Sequence, residues 1–185
     1  METLVYKLGG VKRPGCSRYV RLLFKLHSLP LVHKFVHKRL QKALGLPDSV
    51  AFNQKFYCTS PLLEVAEHTG LGNLHIIAYA PVRIGHHCSF SFNNMIITSS
   101  HDYTNFGTVL ARPVTIGDNV WVTSNVTILP GVTIGSNSVI GAGSVVTKDI
   151  PSGVFAAGNP CKVIKPIKFS IDGKLDMQES EDRLD

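Results

Sequence analysis

The stretch IGDNVWVTSNVTILPGVTIGSNSVIGAGSVV, residues 116–146, decides the fold of this 185-residue chain. Within it a Val or Ile recurs at every sixth position, at Ile116, Val122, Ile128, Ile134, Ile140 and Val146. A six-residue period matches neither the period of about 3.6 of an α-helix nor the period of about 2 of a flat strand. It is typical of an all-β solenoid, in which each hexapeptide supplies one short strand and one corner, and three hexapeptides close a triangular coil.

The repeat is irregular upstream of this stretch and is interrupted once. Two earlier frames, offset by one residue, run through Val65-Leu71-Ile77 and through Ile84-Phe90-Ile96. The spacing from Ile96 to Ile116 is two residues longer than three hexapeptides, so residues 99–113 are predicted to leave the coil as a loop. Binding and catalytic residues concentrate on loops that a rigid scaffold holds in place.

Composition and charge narrow the class of protein. No apolar run approaches the roughly 20 residues that span a bilayer, and the first residues lack the layout of a signal peptide, so we expect a cytoplasmic protein. The net charge of +6 is unevenly distributed, with ten Lys or Arg against two acidic residues in 1–50 and nine against eleven in 51–185. This split argues against nucleic-acid binding by the solenoid. The four cysteines are widely spaced and predict neither a zinc site nor a disulfide framework.

The basic segment 1–50 is predicted to be helical. Residues 17–45 are typical of two amphipathic helices divided by Pro30, which cannot lie inside a helix without breaking it. One interpretation is a cap that packs its apolar stripe over the solenoid. The other is a basic amphipathic surface in peripheral contact with an anionic membrane. The predicted domains are therefore the helical segment 1–50, the solenoid 51–165 and a polar tail 166–185.

His101 is the first candidate for chemistry because it lies where the predicted loop begins. Histidine titrates close to neutral pH, so it can take a proton from a hydroxyl group. The alternative interpretation is a solvated loop residue. Asp102 follows directly, and adjacent residues of an extended segment point in opposite directions. Asp102 is therefore a poor choice for orienting the imidazole and a better one for contacting a substrate.

Two other groups of residues are candidate ligand sites. His75, His86 and His87 raise the question of a metal, but His86 and His87 are adjacent and would face opposite sides of a strand, so no metal site is predicted. Three lysines cluster near the last coil, Lys148, Lys162 and Lys165. They are interpreted either as a site for a phosphate-bearing ligand or as a solvated basic rim.

Several motifs resemble those of the hexapeptide-repeat acyltransferases, and especially of the galactoside and maltose O-acetyltransferases. They are Ile116-Gly-Asp-Asn-Val-Trp121, Val126-Thr-Ile-Leu-Pro-Gly-Val-Thr-Ile-Gly135, Val139-Ile-Gly-Ala-Gly-Ser-Val-Val-Thr-Lys-Asp-Ile-Pro151 and Gly158-Asn-Pro160. The segment Ser100-His-Asp-Tyr103 is more like that of relatives that acetylate colanic acid, capsule and other surface polysaccharides. The resemblance covers about residues 82–165.

The resemblance implies a left-handed parallel β-helix, an exception to the usual right-handed crossover. It also implies a homotrimer with active sites between neighbouring subunits and acetyl-CoA as co-substrate. Motif by motif, it implies His101 as general base and a backbone amide at Ser124 that meets the acetyl thioester. The positions implied along the coenzyme A arm are Ala142, Thr147 and Lys148, and those implied at its phosphates, where the family usually has arginines, are Lys162 and Lys165.

The acceptor implied by the resemblance is a saccharide hydroxyl, but two positions depart from the galactoside and maltose enzymes. Leu71 and Tyr79 stand where those enzymes have sugar-binding acidic and amide residues, so a different sugar is expected. The candidates for lining its site are Asn93, Asp102, Tyr103 and Trp121. We predict direct O-acetylation in surface-polysaccharide assembly without an acyl-enzyme, and the basic N-terminus would suit a lipid-linked acceptor at the inner membrane face. The alternatives are N-acetylation of a nucleotide-linked amino sugar, acetylation of a serine hydroxyl, and a non-catalytic scaffold.

Overall fold

The computed structural model describes residues 3–7 and 12–168, which form a parallel β-solenoid of about six coils with two short helices. Three sheets make the sides of the prism. Sheet S1 contains β4 (Leu63–Val65), β7 (Val82–Ile84), β12 (Val114–Ile116) and β15 (Thr133–Ile134). Sheet S2 contains β2 (Ala51–Phe52), β5 (Gly70–Gly72), β8 (Ser89–Phe90), β13 (Trp121–Val122), β16 (Val139–Ile140), β18 (Val154–Ala157) and β19 (Lys162–Pro166). Sheet S3 contains β3 (Tyr57–Cys58), β6 (His75–Ile77), β9 (Met95–Ile97), β14 (Thr127–Ile128) and β17 (Val145–Val146).

The predicted inward residues stack in register from coil to coil. Ile84 pairs with Ile116, and Ile116 pairs in turn with Ile134. All three are buried, because the thin axial core has room for β-branched side chains stacked on one another. The six-residue period is thus the period of one side of the prism.

The frame changes at two successive corners, because Leu71 to Ile76 is five residues and Ile76 to Ile84 is eight. Ile76, not Ile77, is the fully buried residue of β6 that pairs with Ile96. The step from Leu71 to Ile76 is one residue shorter than the regular hexapeptide and has Gly72 in the left-handed conformation, with φ at +53°. Glycine adopts this conformation without steric cost, which permits the tighter corner.

The predicted loop 99–113 is largely an ordered β-hairpin. Its strands are β10 (Ser99–Asp102) and β11 (Asn105–Ala111), and they pair antiparallel. A third strand, β1 (Leu4–Lys7), pairs antiparallel with the other edge of β11. Residues 4–7 are therefore a strand, not part of a helical segment. This pairing joins residues about 100 positions apart, so no local period in the sequence reveals it.

Two helices follow β1, as predicted, and they cover the first coil. They are α1 (Arg18–His27) and α2 (His33–Ala43), and the Ser17 hydroxyl caps α1 by accepting from the Val20 amide. Phe24 lies buried against Phe56 and Tyr57, with ring centroids 6.1 and 5.0 Å away. The cap interpretation is confirmed for the buried side of the helices.

No helix in the described ranges is long and apolar enough to cross a membrane. At the other end of the chain, β19 closes sheet S2 by pairing antiparallel with β18. The predicted polar tail, 166–185, falls outside the described residues from 169 onward.

Candidate active site

His101 stands on β10, opposite Val109, with its side chain exposed to solvent. Its Nδ1 lies 2.7 Å from the backbone carbonyl oxygen of Phe106 on the facing strand. A carbonyl oxygen can only accept a hydrogen bond, so Nδ1 carries a proton, and in the neutral ring the lone pair is then on Nε2. The imidazole is therefore oriented and held in the tautomer that a general base requires.

Asp102 has a partner other than the imidazole. Its Oδ1 accepts hydrogen bonds from the Thr104 hydroxyl at 2.6 Å and from the Thr104 backbone N–H at 2.8 Å. These two donors, the hydroxyl foremost, hold the pKa of Asp102 below its ordinary value. The carboxylate thus stays ionised and closes the hairpin turn. Asp102 does not orient His101, as expected, and its contact with a substrate remains a prediction.

The corner between S2 and S3 stacks candidate residues from consecutive coils. Asn93 lies on this corner between β8 and β9, Ser124 between β13 and β14, and Ala142 between β16 and β17. The Gly143 amide donates to the Ser124 carbonyl oxygen at 3.0 Å and ties two of these levels together. The Ser124 N–H itself donates to no protein acceptor within the described part of the chain. An amide in this state is available to an oxygen of a ligand.

Thr147 and Lys148 lie on a different corner, the one between S3 and S1, and their side chains are exposed. The hairpin that carries His101 leaves the solenoid from this same corner, between β9 and β12. Ala142 and Thr147 are five residues apart along one side of the prism, which corresponds to roughly 16 Å at the rise of a β-strand. The candidate residues of one chain therefore fall into two half-sites on two corners.

Lys162 and Lys165 are exposed on β19, at the end of sheet S2. Lys162 pairs with Ala157 and Lys165 with Phe155 on β18. Three strand-to-strand steps separate the coil of Ser124 from β19, or about 14 Å along the prism. The two ammonium groups thus lie beyond Ser124 and Ala142 along the solenoid axis.

Two of the candidate substrate residues have structural partners. The Asn93 backbone N–H donates to the Asn73 side chain at 2.7 Å, and the Asn73 amide donates back to Asn93 Oδ1 at 3.0 Å. The Trp121 indole N–H donates to the Ser91 hydroxyl at 3.3 Å, although the ring is 42% exposed. Tyr103, at the hairpin tip, is 89% exposed. The role of all three toward a substrate remains a prediction.

The hairpin also presents a residue that sequence reasoning missed. Phe106 provides the carbonyl that holds His101, and its own ring is 73% exposed. The contact joins residues five apart across a hairpin whose register depends on a bulge, so the sequence carries no signal for it. The Asp102–Thr104 turn, by contrast, has a recognisable sequence signature, Asp followed two residues later by Thr.

The cysteines are unsuited to nucleophilic chemistry. All four are buried and unpaired, and Cys88 packs in the core as the sequence predicted. Burial raises the pKa of Cys58 to about 12 and that of Cys88 to about 11. The reactive thiolate form is therefore scarce at neutral pH.

His75, His86 and His87 do not form a cluster with other ligating groups. The rings of His86 and His87 are 6.4 Å apart, and His75 packs edge-on against Tyr57. Within residues 3–7 and 12–168, no three His, Cys, Asp or Glu side chains are grouped so as to hold a metal ion.

Comparison with protein-family models matches residues 113–148 to the family described as bacterial transferase hexapeptide (six repeats). The galactoside O-acetyltransferase of Escherichia coli K12 is 48% identical over 99 residues, which are 51% of this chain and 49% of that protein. The chain spans about half the length of the curated relatives it matches.

Two solved structures extend the likeness to most of the chain. A maltose O-acetyltransferase from Clostridium difficile 630 is 34% identical, with a TM-score of 0.72 over 81% of this chain and 85% of that one. A hexapeptide-repeat-containing acetyltransferase from Vibrio cholerae, complexed with acetyl coenzyme A, is 26% identical, with a TM-score of 0.70 over 80% of this chain and 85% of that one. The predicted class of fold, a hexapeptide-repeat left-handed β-helix, is confirmed.

Proposed function

The chain belongs to the hexapeptide-repeat transferase family, and from this premise we propose that it is an acetyl-CoA-dependent O-acetyltransferase acting on a saccharide hydroxyl. The observation that carries the proposal is the hydrogen bond from His101 Nδ1 to the Phe106 carbonyl. It prepares an exposed imidazole nitrogen to accept a proton from an alcohol. The V. cholerae relative with bound acetyl coenzyme A supports the choice of donor.

The proposed reaction is a direct transfer. His101 Nε2 takes the proton from the acceptor hydroxyl as its oxygen attacks the acetyl carbonyl carbon. The Ser124 backbone N–H stabilises the negative charge that develops on the carbonyl oxygen. The carbon–sulfur bond then breaks, and the coenzyme A thiolate takes the proton back from the imidazolium. The raised pKa values of the buried cysteines support a route without a cysteine acyl-enzyme.

A complete site under this proposal needs more than one subunit. His101 and Lys148 lie at the S3–S1 corner, whereas Ser124 and Ala142 lie at the S2–S3 corner. A general base must come within about 3 Å of its proton, which a separation of roughly 16 Å between corners does not allow. A homotrimer with threefold symmetry would place the first corner of one subunit against the second corner of the next. We therefore include a trimer with three intersubunit sites in the proposal.

The S2–S3 corner, which we call the donor half-site, would bind coenzyme A in an elongated conformation. Ser124, Ala142 and Lys162 follow one another along the prism, so the thioester would lie at Ser124 and the phosphates at Lys162 and Lys165. Thr147 and Lys148 would contact the coenzyme A arm from the neighbouring subunit. A lysine keeps the charge of the family's arginines but provides no bidentate fork, so these phosphate contacts are expected to be weaker.

The acceptor is expected to differ from galactosides and maltose. Leu71 is fully buried in the core and cannot contact a sugar. Tyr79 is held by Tyr6, whose hydroxyl donates to the Tyr79 carbonyl at 2.8 Å. We propose a saccharide of surface-polysaccharide assembly, with Tyr103 at the exposed hairpin tip and Asp102, Asn93 and Trp121 as its candidate contacts. The proposed reaction takes place in the cytoplasm, where acetyl-CoA is available.

Substitution of the imidazole tests the proposal. His101→Ala should reduce acetyl transfer by about 10²- to 10⁴-fold, because it removes the general base and leaves donor binding intact. His86→Ala, which removes another exposed imidazole, is the matched control and should retain activity. The assay follows thiol release with a panel of free, nucleotide-linked and lipid-linked sugars. Undiminished acceptor-dependent thiol release by His101→Ala would reject the proposed role.

A further inference from the structure

The turn between α1 and α2 exposes large apolar side chains. Leu31 is 89% exposed and Phe35 is 78% exposed, and Leu29 in the same turn is about half exposed. Leu31 lies in the turn just before α2 and Phe35 lies in the first turn of α2, so both exposed side chains are at the N-terminal end of this helix. With Lys34 and Lys38, these three residues are called the helical tip.

The remaining residues of α1 and α2 do not cover the helical tip. A different side of α2 carries Val36 and Leu40, which are already buried against the first coil. Turning Leu31 and Phe35 inward would expose those two residues. The apolar surface of the tip is therefore available to an outside partner.

The charge around the tip has one sign. Residues 18–43 contain seven Lys or Arg and no Asp or Glu. The ion pair found within the described residues, Arg83 with Glu64, lies on sheet S1 and involves none of these cations. Lys25, Lys34 and Lys38 are near the exposed leucines in sequence, and no carboxylate in the described part of the chain forms an ion pair with them.

We infer that the helical tip docks the protein onto an anionic lipid surface. Leu29, Leu31 and Phe35 enter the boundary between headgroups and acyl chains, and the surrounding lysines and arginines contact the lipid phosphates. Charge complementarity identifies this occupant, because the tip combines apolar side chains with an excess of positive charge. The inference goes beyond the proposed reaction and does not depend on it.

Vesicle co-sedimentation of the full chain tests the inference. The wild type should bind vesicles of phosphatidylcholine with about 30% phosphatidylserine and not vesicles of phosphatidylcholine alone, because only the anionic headgroups attract the basic side chains. Leu31→Ser with Phe35→Ser should weaken binding about tenfold or more, because the apolar anchor is lost. Lys34→Gln with Lys38→Gln should weaken it as well and lower its sensitivity to salt.

A matched control removes two exposed apolar residues elsewhere. Val163→Ser with Ile164→Ser, on β19, should leave vesicle binding unchanged. Failure of the wild type to bind anionic vesicles, or equal binding by the Leu31/Phe35 variant, would overturn the inference. A change in oligomeric mass of that variant by light scattering would also overturn it, since a second copy of the chain would then cover the tip. Acetyl transfer to a soluble acceptor should persist in the variant, which separates this test from that of the proposed reaction.

Discussion

We predict that acid weakens the fold, because helices α1 and α2 bring three histidines close together. His27, at the end of α1, is only 1% exposed, and its Nε2 lies 3.0 Å from His37 Nδ1. Burial, followed by the nearby imidazoles of His37 and His33, lowers the pKa of His27 to about 4. His27 also lines a cavity whose other lining residues include Lys34 and Lys38 and no carboxylate, so a proton on His27 would meet only neutral or positive neighbours.

The sign and size of the effect follow from proton linkage. The unfolded chain binds a proton at this position below pH about 6.5, and the folded chain only below about 4, so the unfolded state gains protons first as the pH falls. The stabilisation from a neutral His27 is complete above pH 6.5 and is lost between there and pH 4. At pH 5 the loss from this group is at most about 2 kcal/mol in the free energy of unfolding.

Urea unfolding at pH 7.5 and pH 5 measures this loss, and His27→Phe isolates it. The substitution removes the ionisable group but keeps a ring beside Phe52, whose centroid lies 5.4 Å from that of His27. The pH-dependent loss of stability should be smaller in the variant than in the wild type by about 2 kcal/mol. Equal losses in the two proteins would refute the reasoning.

Two further predictions concern the prism and the donor site. Gly117→Ala should cost about 3 kcal/mol of stability by urea unfolding, because an added Cβ would lie 2.7 Å from the Ser136 backbone nitrogen. Gly70→Ala, where nothing lies within 4 Å, should be nearly neutral, and equal effects of the two changes would contradict the packing. Lys162→Gln with Lys165→Gln should weaken coenzyme A binding about tenfold by calorimetry, more at low salt than at high salt. Unchanged affinity would show that these lysines do not contact coenzyme A.

The repeat was predictable because the inward residue of each hexapeptide packs in the same way in every coil. Any Val or Ile that pairs above and below with its equivalents is buried, so a local period carries the three-dimensional pattern. The deviation at Ile76 arose where one corner was shorter by a residue. The two helices were predictable for a similar reason, because their apolar stripe and Pro30 are local signals.

The hairpin and the contact that orients His101 could not be predicted from a local pattern. The pairing of β1 with β11, and the register that places the Phe106 carbonyl beside His101, depend on distant residues and on a bulge. Motif resemblance identified His101, Ser124 and Ala142 as candidates and implied sites between subunits, but it did not say which residue lies on which corner of one chain. That separation became visible only with the coil assignments.

Subunit complementation tests the central claim, an active site assembled from two chains, most directly. His101→Ala lacks the general base, and Ala142→Asp places a charge on the exposed donor corner of the S2–S3 half-site. Each variant should be inactive alone. Every mixed trimer would hold one intact site, so co-expression at equal levels should restore about a quarter of the wild-type activity. Co-purified mixed assemblies that stay inactive would contradict the account.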